Sequence, residues 1–155
     1  MEYKELLDVS NIIVATLSKS MTRMGLSGDF IVTQMAEEFG SADIRELVIH
    51  AAGDITSETV DGVLEEYATI MDELMAVQEF EVLEKTESQI KLKLKHCAFA
   101  TVSTIIRDGD KTKIPPCPWI ALLTSALNRQ TESKAYIESS EWDEDTNTCL
   151  MTISL

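Results

Sequence analysis

The chain has 155 residues, 45% of them hydrophobic and 26% charged, which suits one globular domain able to bury a core of its own. Thirteen basic residues against 27 acidic ones leave a net charge of −14. A surface this acidic repels phosphate backbones and anionic headgroups, so neither a nucleic acid nor a membrane is an expected partner.

Leu6, Ile13, Leu17, Met21 and Met24 recur at helical spacing and predict a first helix. Gly25 and Gly28 bracket a break, after which Val32, Met35, Ala36 and Phe39 form the stripe of a second helix, with Ser27 or Asp29 as its cap. Gly40 stops it. Ser41 is placed to cap a third helix carrying Ile44, Leu47, Val48 and Ala51, near whose end stands His50, a helix-end residue. The strongest helical signal follows, with Val60, Val63, Leu64, Tyr67, Met71, Leu74 and Met75 on one face and Glu65, Glu66, Asp72 and Glu73 largely on the other. Thr56 or Ser57 is its expected N-cap. The methionines of these stripes are read as core filling.

The period then changes to two. Ile90, Leu92 and Leu94 alternate with Lys91, Lys93 and Lys95, the pattern of a half-buried strand, and residues 80–85 read as its hairpin partner. Asp108-Gly109-Asp110 marks a loop, and Pro118 opens a helix with Ile120, Leu123 and Leu127 on one side. A last hairpin, residues 135–142 and 148–155, flanks the turn sequence Asp143 to Asn147. The expected architecture is α+β: N-terminal helices packed on a C-terminal antiparallel sheet of about four strands with one inserted helix, all one domain over residues 1–155.

Residues 54–87 hold eleven acids and one base, and residues 91–134 hold eight bases and three acids, so an acidic helical half meets a more basic sheet half. Solvated faces account for this. No run reaches the roughly 18 apolar residues of a membrane span, and no basic region followed by an apolar core opens the chain, so a cytoplasmic location is expected. Cys97, Cys117 and Cys149 cannot all pair within one chain and are read as reduced thiols, buried or metal-bound.

Cys149 follows Glu141 by eight residues and Glu138 by eleven, and the turn folds these strands together. Cys117 precedes the Pro118 helix beside the same sheet. Cys117, Glu138, Glu141 and Cys149 are therefore four donors of the types zinc accepts. Residues three apart on a regular strand point to opposite faces, so the two glutamates can share a metal only if a bulge or the strand end intervenes. The plainer alternative, two exposed acids and two buried thiols, is favoured by spacing alone.

The stretch from Cys117 to the end resembles the C-terminal signature of the 4-vinyl reductase family of hydrocarbon-binding domains. There a cysteine precedes an apolar helix, a strand carries Glu-x-x-Cys, and after seven residues another cysteine begins an apolar strand end. This chain has Cys117-Pro118-Trp119 leading into Ile120 to Leu127, then Glu138-Ser139-Ser140-Glu141, then Cys149-Leu150-Met151-Thr152-Ile153. The upstream order of elements is similar too: a break at Gly25, an acidic helix ending before Phe80 and a strand ending at His96-Cys97. The resemblance implies zinc ligands at Cys117, Glu138 and Cys149, with Glu141 standing where the family carries cysteine. With four protein ligands such a zinc is structural.

The resemblance also implies a pocket for a small apolar or aromatic ligand between helices and sheet. Tyr67 and Trp119 are candidates for its wall. Strand alternation puts His96 on the side of Leu92 and Leu94, where it is either a core residue or a polar group in that pocket. The leading functional expectation is thus a small-molecule-binding, sensor-like or carrier-like domain. A second, suggested by the family's name, is a reductase acting on a vinyl or tetrapyrrole substrate. The chain has no glycine-rich dinucleotide loop and no Cys-x-x-Cys to support it, and no catalytic residue is assigned. A third is a homodimeric assembly protein related in fold to subunits of a vesicle-tethering complex. Homodimerisation through the N-terminal helices fits any of the three.

Overall fold

The computed structural model describes the backbone of Tyr3–Leu155 and the side chains from Ser10 onward, so Leu6 lies outside the described side chains. Four helices come first: α1 (Tyr3–Arg23), α2 (Gly28–Gly40), α3 (Ala42–Ala52) and α4 (Val60–Glu73). A hairpin of β1 (Glu79–Lys85) and β2 (Gln89–Lys95) follows, then helices α5 (Ala100–Arg107) and α6 (Pro118–Gln130), then a second hairpin of β3 (Tyr136–Asp143) and β4 (Thr148–Ser154). The four strands form one antiparallel sheet in the order β1-β2-β4-β3, so the fold is α+β. Among the described residues no helix is long and apolar enough to cross a membrane.

Alternation sorts the sheet into two faces. Rows of paired residues run across the inner face: Leu94, Cys149 and Trp142; Leu92, Met151 and Ser140; Ile90, Ile153 and Ile137. All nine are buried, and all but Ser140 share one hydrophobic core with Val63, Tyr67 and Met71 of α4 and Ile120, Leu123 and Leu127 of α6. On the other face Lys91, Lys93 and Lys95 pair with Glu84, Glu81 and Glu79 of β1. The acidic and basic stretches of the sequence meet here as a ladder of exposed cross-strand ion pairs, each worth well under ~1 kcal/mol. The face is wet, and the ladder keeps it so.

Local chemistry departs from the sequence reading in three places. The N-cap of α4 is Thr59, whose Oγ1 accepts from the Gly62 N–H at 3.2 Å, rather than Thr56 or Ser57. Those two residues instead donate their backbone N–H groups to the Glu66 carboxylate. Of the methionines, Met71 is buried, but Met24 and Met75 are mostly exposed: α1 ends at Arg23 and leaves Met24 in a turn, and α4 ends at Glu73 and leaves Met75 turned out in a left-handed conformation. A second inserted helix, α5, occupies residues to which the sequence reading assigned no element. It is short and rich in β-branched residues, which disguises it.

The start of α2 lies against the loop that leads to α6. A Cβ on Gly28 would collide with the Ile114 carbonyl, whereas one on Gly40, at the other end of the helix, would meet only Ser125 Oγ at 3.6 Å. Gly28→Ala is expected to cost about 1–3 kcal/mol through overpacking against backbone. Gly40→Ala is expected to be neutral or to stabilise by up to about 1 kcal/mol. Urea unfolding followed by circular dichroism measures both; equal midpoints for the two variants would contradict this packing.

Candidate functional site: three thiols in one buried cavity

The C-terminal hairpin decides what the cysteines and glutamates can do together. β3 has a bulge at Glu138, between the pairs Ile137–Ile153 and Ser139–Thr152. The bulge supplies the condition under which Glu138 and Glu141 can share a face, and both are exposed on the outer, wet side of the sheet. Glu138 accepts from Gln89 Nε2 at 2.9 Å, and Glu141 pairs with the outward-facing Leu150. Cys149, opposite Trp142, faces inward and is 4% exposed. Cys117 is the N-cap residue of α6 and is 3% exposed.

The thickness of the sheet thus separates the two carboxylates from the two thiols. Among the described residues no group of three histidine, cysteine or acidic side chains is arranged to hold a metal ion. The expectation of zinc at Cys117, Glu138, Glu141 and Cys149 is therefore corrected: the bulge that brings the glutamates together brings them to the wrong face.

What does converge is a set of thiols. Cys97, Cys117 and Cys149 line one cavity of about 10 Å³, closed by Leu94, Phe99, Ala100, Ser103, Pro115, Trp142 and Met151. That volume is at the lower limit for a single water molecule. Each sulfur comes from a different element: Cys97 from the turn after β2, Cys117 from the start of α6, Cys149 from β4. Burial pushes the Cys117 thiol well above its ordinary value and the neighbouring Cys97 adds to this. Burial likewise raises Cys97 to about 12. It raises Cys149 too, against the opposing pull of Ser140 and Arg107. All three are neutral thiols at physiological pH, and their desolvation makes them poor nucleophiles.

Beside Cys149 lies Arg107, the last residue of α5 and only 2% exposed. Its guanidinium donates to Ser103 Oγ at 3.0 Å, to the Lys111 carbonyl at 2.6 Å, to the carbonyl and hydroxyl of Ser140, and toward Cys149 Sγ at 3.8 Å. Among the described residues no carboxylate lies within ion-pair distance of it. A buried cation bound only by neutral acceptors is costly unless every N–H is used, and here all five have an acceptor. Arg107 thereby ties α5, whose Ala100 and Ser103 form one wall of the cavity, and the Asp108–Lys111 loop to β3 and β4. No sequence pattern pointed to it, since a lone arginine at a helix end reads as a solvent-facing cap.

The two indoles behave differently. Trp142 Nε1 and Trp119 Nε1 are both buried without a hydrogen-bond partner. The group nearest to satisfying Trp119 is the Cys97 sulfur, a weak acceptor. Tyr67 is fully buried; its hydroxyl donates to the Trp119 carbonyl at 2.9 Å and its ring meets Phe80 edge-on at 5.4 Å, so it braces α4 against α6 and β1 rather than lining the cavity. His96 is exposed. β2 ends at Lys95, His96 takes a left-handed φ of 50°, and its N–H bonds the Asn147 carbonyl, so the strand alternation that aimed it inward stops one residue early. His96 is corrected to a surface turn residue.

The chain matches no model of a known protein family, no curated protein and no solved structure.

Two outcomes follow from this chemistry. The unfolded chain releases its thiol protons near pH ~8.5, whereas the folded protein holds them to higher pH, so this part of the stability is whole below that point. It is lost as pH rises toward the raised values, about 12 for Cys97. The urea midpoint is expected to fall between pH 8 and 10.5, with a shallower fall in Cys97→Ser; identical slopes would refute the assignment. Arg107→Ala leaves Ser103, Lys111 and Ser140 without their donor and is expected to cost about 3 kcal/mol, with little rescue by Arg107→Lys, whose ammonium lacks the planar fork. Denaturant titration of the two variants checks this.

Proposed function

We propose that the protein is a binding domain, working as a homodimer, that takes a small apolar or aromatic molecule carrying one hydrogen-bond acceptor at the thiol-lined cavity. One observation carries the reading: the buried indole N–H of Trp142, without an acceptor, at a cavity whose other walls, Ser103 apart, are apolar or sulfur. An orphaned buried donor costs about 1–3 kcal/mol, and a ligand oxygen that satisfies it recovers that cost. Few convergent polar groups in an apolar wall is also the ordinary make-up of a small-molecule site. The resemblance of residues 117–155 to hydrocarbon-binding domains supports the same class of ligand.

At about 10 Å³ the cavity is too small for an organic molecule as it stands. Binding on this reading requires the α5 wall to move outward. Ala100 and Ser103 of this short helix line the cavity, and α1 packs against the helix.

Trp119 and Trp142 are the chain's only tryptophans, so intrinsic fluorescence reports directly on this place. Acetophenone, which offers one carbonyl acceptor, is expected to shift the emission and raise the melting temperature. Ethylbenzene, of similar size without an acceptor, is expected to bind about tenfold more weakly. Trp142→Phe should erase that preference. No emission change with either compound, together with native mass spectrometry showing no retained small molecule, would remove the proposal.

A further inference from the structure

A second cavity, of about 300 Å³, lies between α2 and α6 and shares no residue with the thiol cavity. That volume is at the lower end of the range for small-molecule sites. Its floor is buried and fixed. Ala36 of α2, Ser125 of α6 and Ala135, just before β3, are all buried. Asn128 clamps the entry to β3 onto α6, its amide donating to the Ala135 carbonyl at 3.1 Å and accepting from the Ala135 N–H. The cavity opens to solvent along Glu37 and Gly40 of α2, which are exposed.

Two charged side chains line it, Arg129 from α6 and Glu37 from α2, and neither is matched within the protein. Arg129 Nε is buried without a hydrogen-bond partner, and Nη2 reaches the Ile55 carbonyl at 3.4 Å, the one hydrogen bond this guanidinium makes among the described residues. Asp54 stands 3.6 Å from Nη2 but is already held by Arg45 through both Nε and Nη2, so two guanidiniums share one carboxylate. Burial and the neighbouring Arg45 push Arg129 below the ordinary arginine value, against the opposing pull of Asp54. Where Arg107 uses every N–H, Arg129 has donors to spare for a further acceptor. Glu37 accepts only from Gln34 Nε2 at 3.3 Å, and among the described residues no lysine or arginine pairs with it. Ser125, one turn before Arg129 on the same face of α6, adds a hydroxyl with no partner among the described residues. The hydroxyls of Thr33 and Thr124 in the same walls donate back to carbonyls of their own helices.

We infer that this cavity binds a small zwitterion of the amino-acid class, its carboxylate on Arg129 and Ser125 and its ammonium on Glu37. The field of the whole chain selects the zwitterion over a simple anion. A net charge of −14, with Glu37 at the mouth, repels a free carboxylate, whereas a molecule of zero net charge enters without that penalty. A simple cation is opposed by Arg129. Between the two poles the walls are Ala36, Gly40 and Ala135, which leave room for a short aliphatic side chain. A Cβ on Gly40 would stand 3.6 Å from Ser125 Oγ, so the glycine keeps that hydroxyl open to the cavity. This inference goes beyond the proposed function and is independent of it, since it uses another cavity and another ligand chemistry.

Isothermal titration calorimetry on the full chain tests it with three probes of one carbon skeleton. L-Valine carries both charges, isovalerate lacks the ammonium and isobutylamine lacks the carboxylate. Valine is expected to bind roughly tenfold more tightly than either of the others. Glu37→Gln is expected to weaken valine about tenfold and to leave isovalerate no weaker than before. Arg129→Gln is expected to abolish valine binding, with far-UV circular dichroism as the control for folding; if that variant unfolds, Glu37→Gln, a change at an exposed site, decides. Valine bound no better than isovalerate, valine binding unmoved by Glu37→Gln or retained by a folded Arg129→Gln, or no heat with valine up to ~10 mM, each overturns the inference. None of these failures touches the tryptophan response to acetophenone, which reports on the thiol cavity alone.

Discussion

A β-strand has two faces, and a side chain committed to one is unavailable to the other. In this protein that constraint, acting on β3 and β4, governs the site. Cys149, Met151 and Ile153 face the helices, and with them Ile137, Ser140 and Trp142. Glu138, Glu141 and the lysine–glutamate ladder face water. The bulge at Glu138 leaves this sorting intact: it absorbs one residue so that Ile137 and Ser140, three apart, both point inward. A hard carboxylate and a soft thiol on this hairpin therefore never meet, and the chemistry open to the inner face is that of neutral thiols, indole N–H groups and one buried guanidinium.

Much of the fold was legible because its periods are clean. Ile90 to Lys95 alternate without a fault, and β2 is where they place it. The α6 start at Pro118 follows from proline's tolerance for the first helical turn, and the C-terminal hairpin from the run of turn residues between Asp143 and Asn147. The site was less legible. That Cys117 and Cys149 come close was readable from topology; that Cys97 joins them depended on a turn after Lys95 that no period announces. Arg107 was invisible, because burial of a charge depends on acceptors supplied by residues 33 and 42 positions away. His96 went astray by a single backbone angle.

The first helix shows a different limit. Ile13 and Leu17 were correctly read as helical, whereas Met24 lies in the turn just past the end of α1; a hydrophobic period reports only that one side of a helix avoids water. It does not report whether the covering surface belongs to the same chain. Here the chain covers the other side, burying Ser18 and letting Asn11 donate to the Ala98 carbonyl, a contact that a helix packed by hydrophobicity alone would not choose.

Helix α5 is where these lines meet. On one side it closes the thiol cavity through Ala100 and Ser103; on another it packs against α1; at its C-terminus Arg107 anchors it to the sheet. Its eight residues are too few to be stable alone, so its position is set by these three attachments and not by its own helical propensity. The anchor at Arg107 is strong but lies at one end. The Ala100 end is held chiefly by packing and by the turn in which the Ala100 N–H bonds the Cys97 carbonyl. An outward swing of α5 pivoting on Arg107 would enlarge the cavity while leaving the guanidinium bonds to Lys111, Ser140 and Cys149 in place and giving up only the one to Ser103, and α1, packed against α5, resists that swing. A cavity with an unsatisfied donor, walled by a short helix fixed at one end, would thus open at least cost along the side where α5 leans on the buried face of α1.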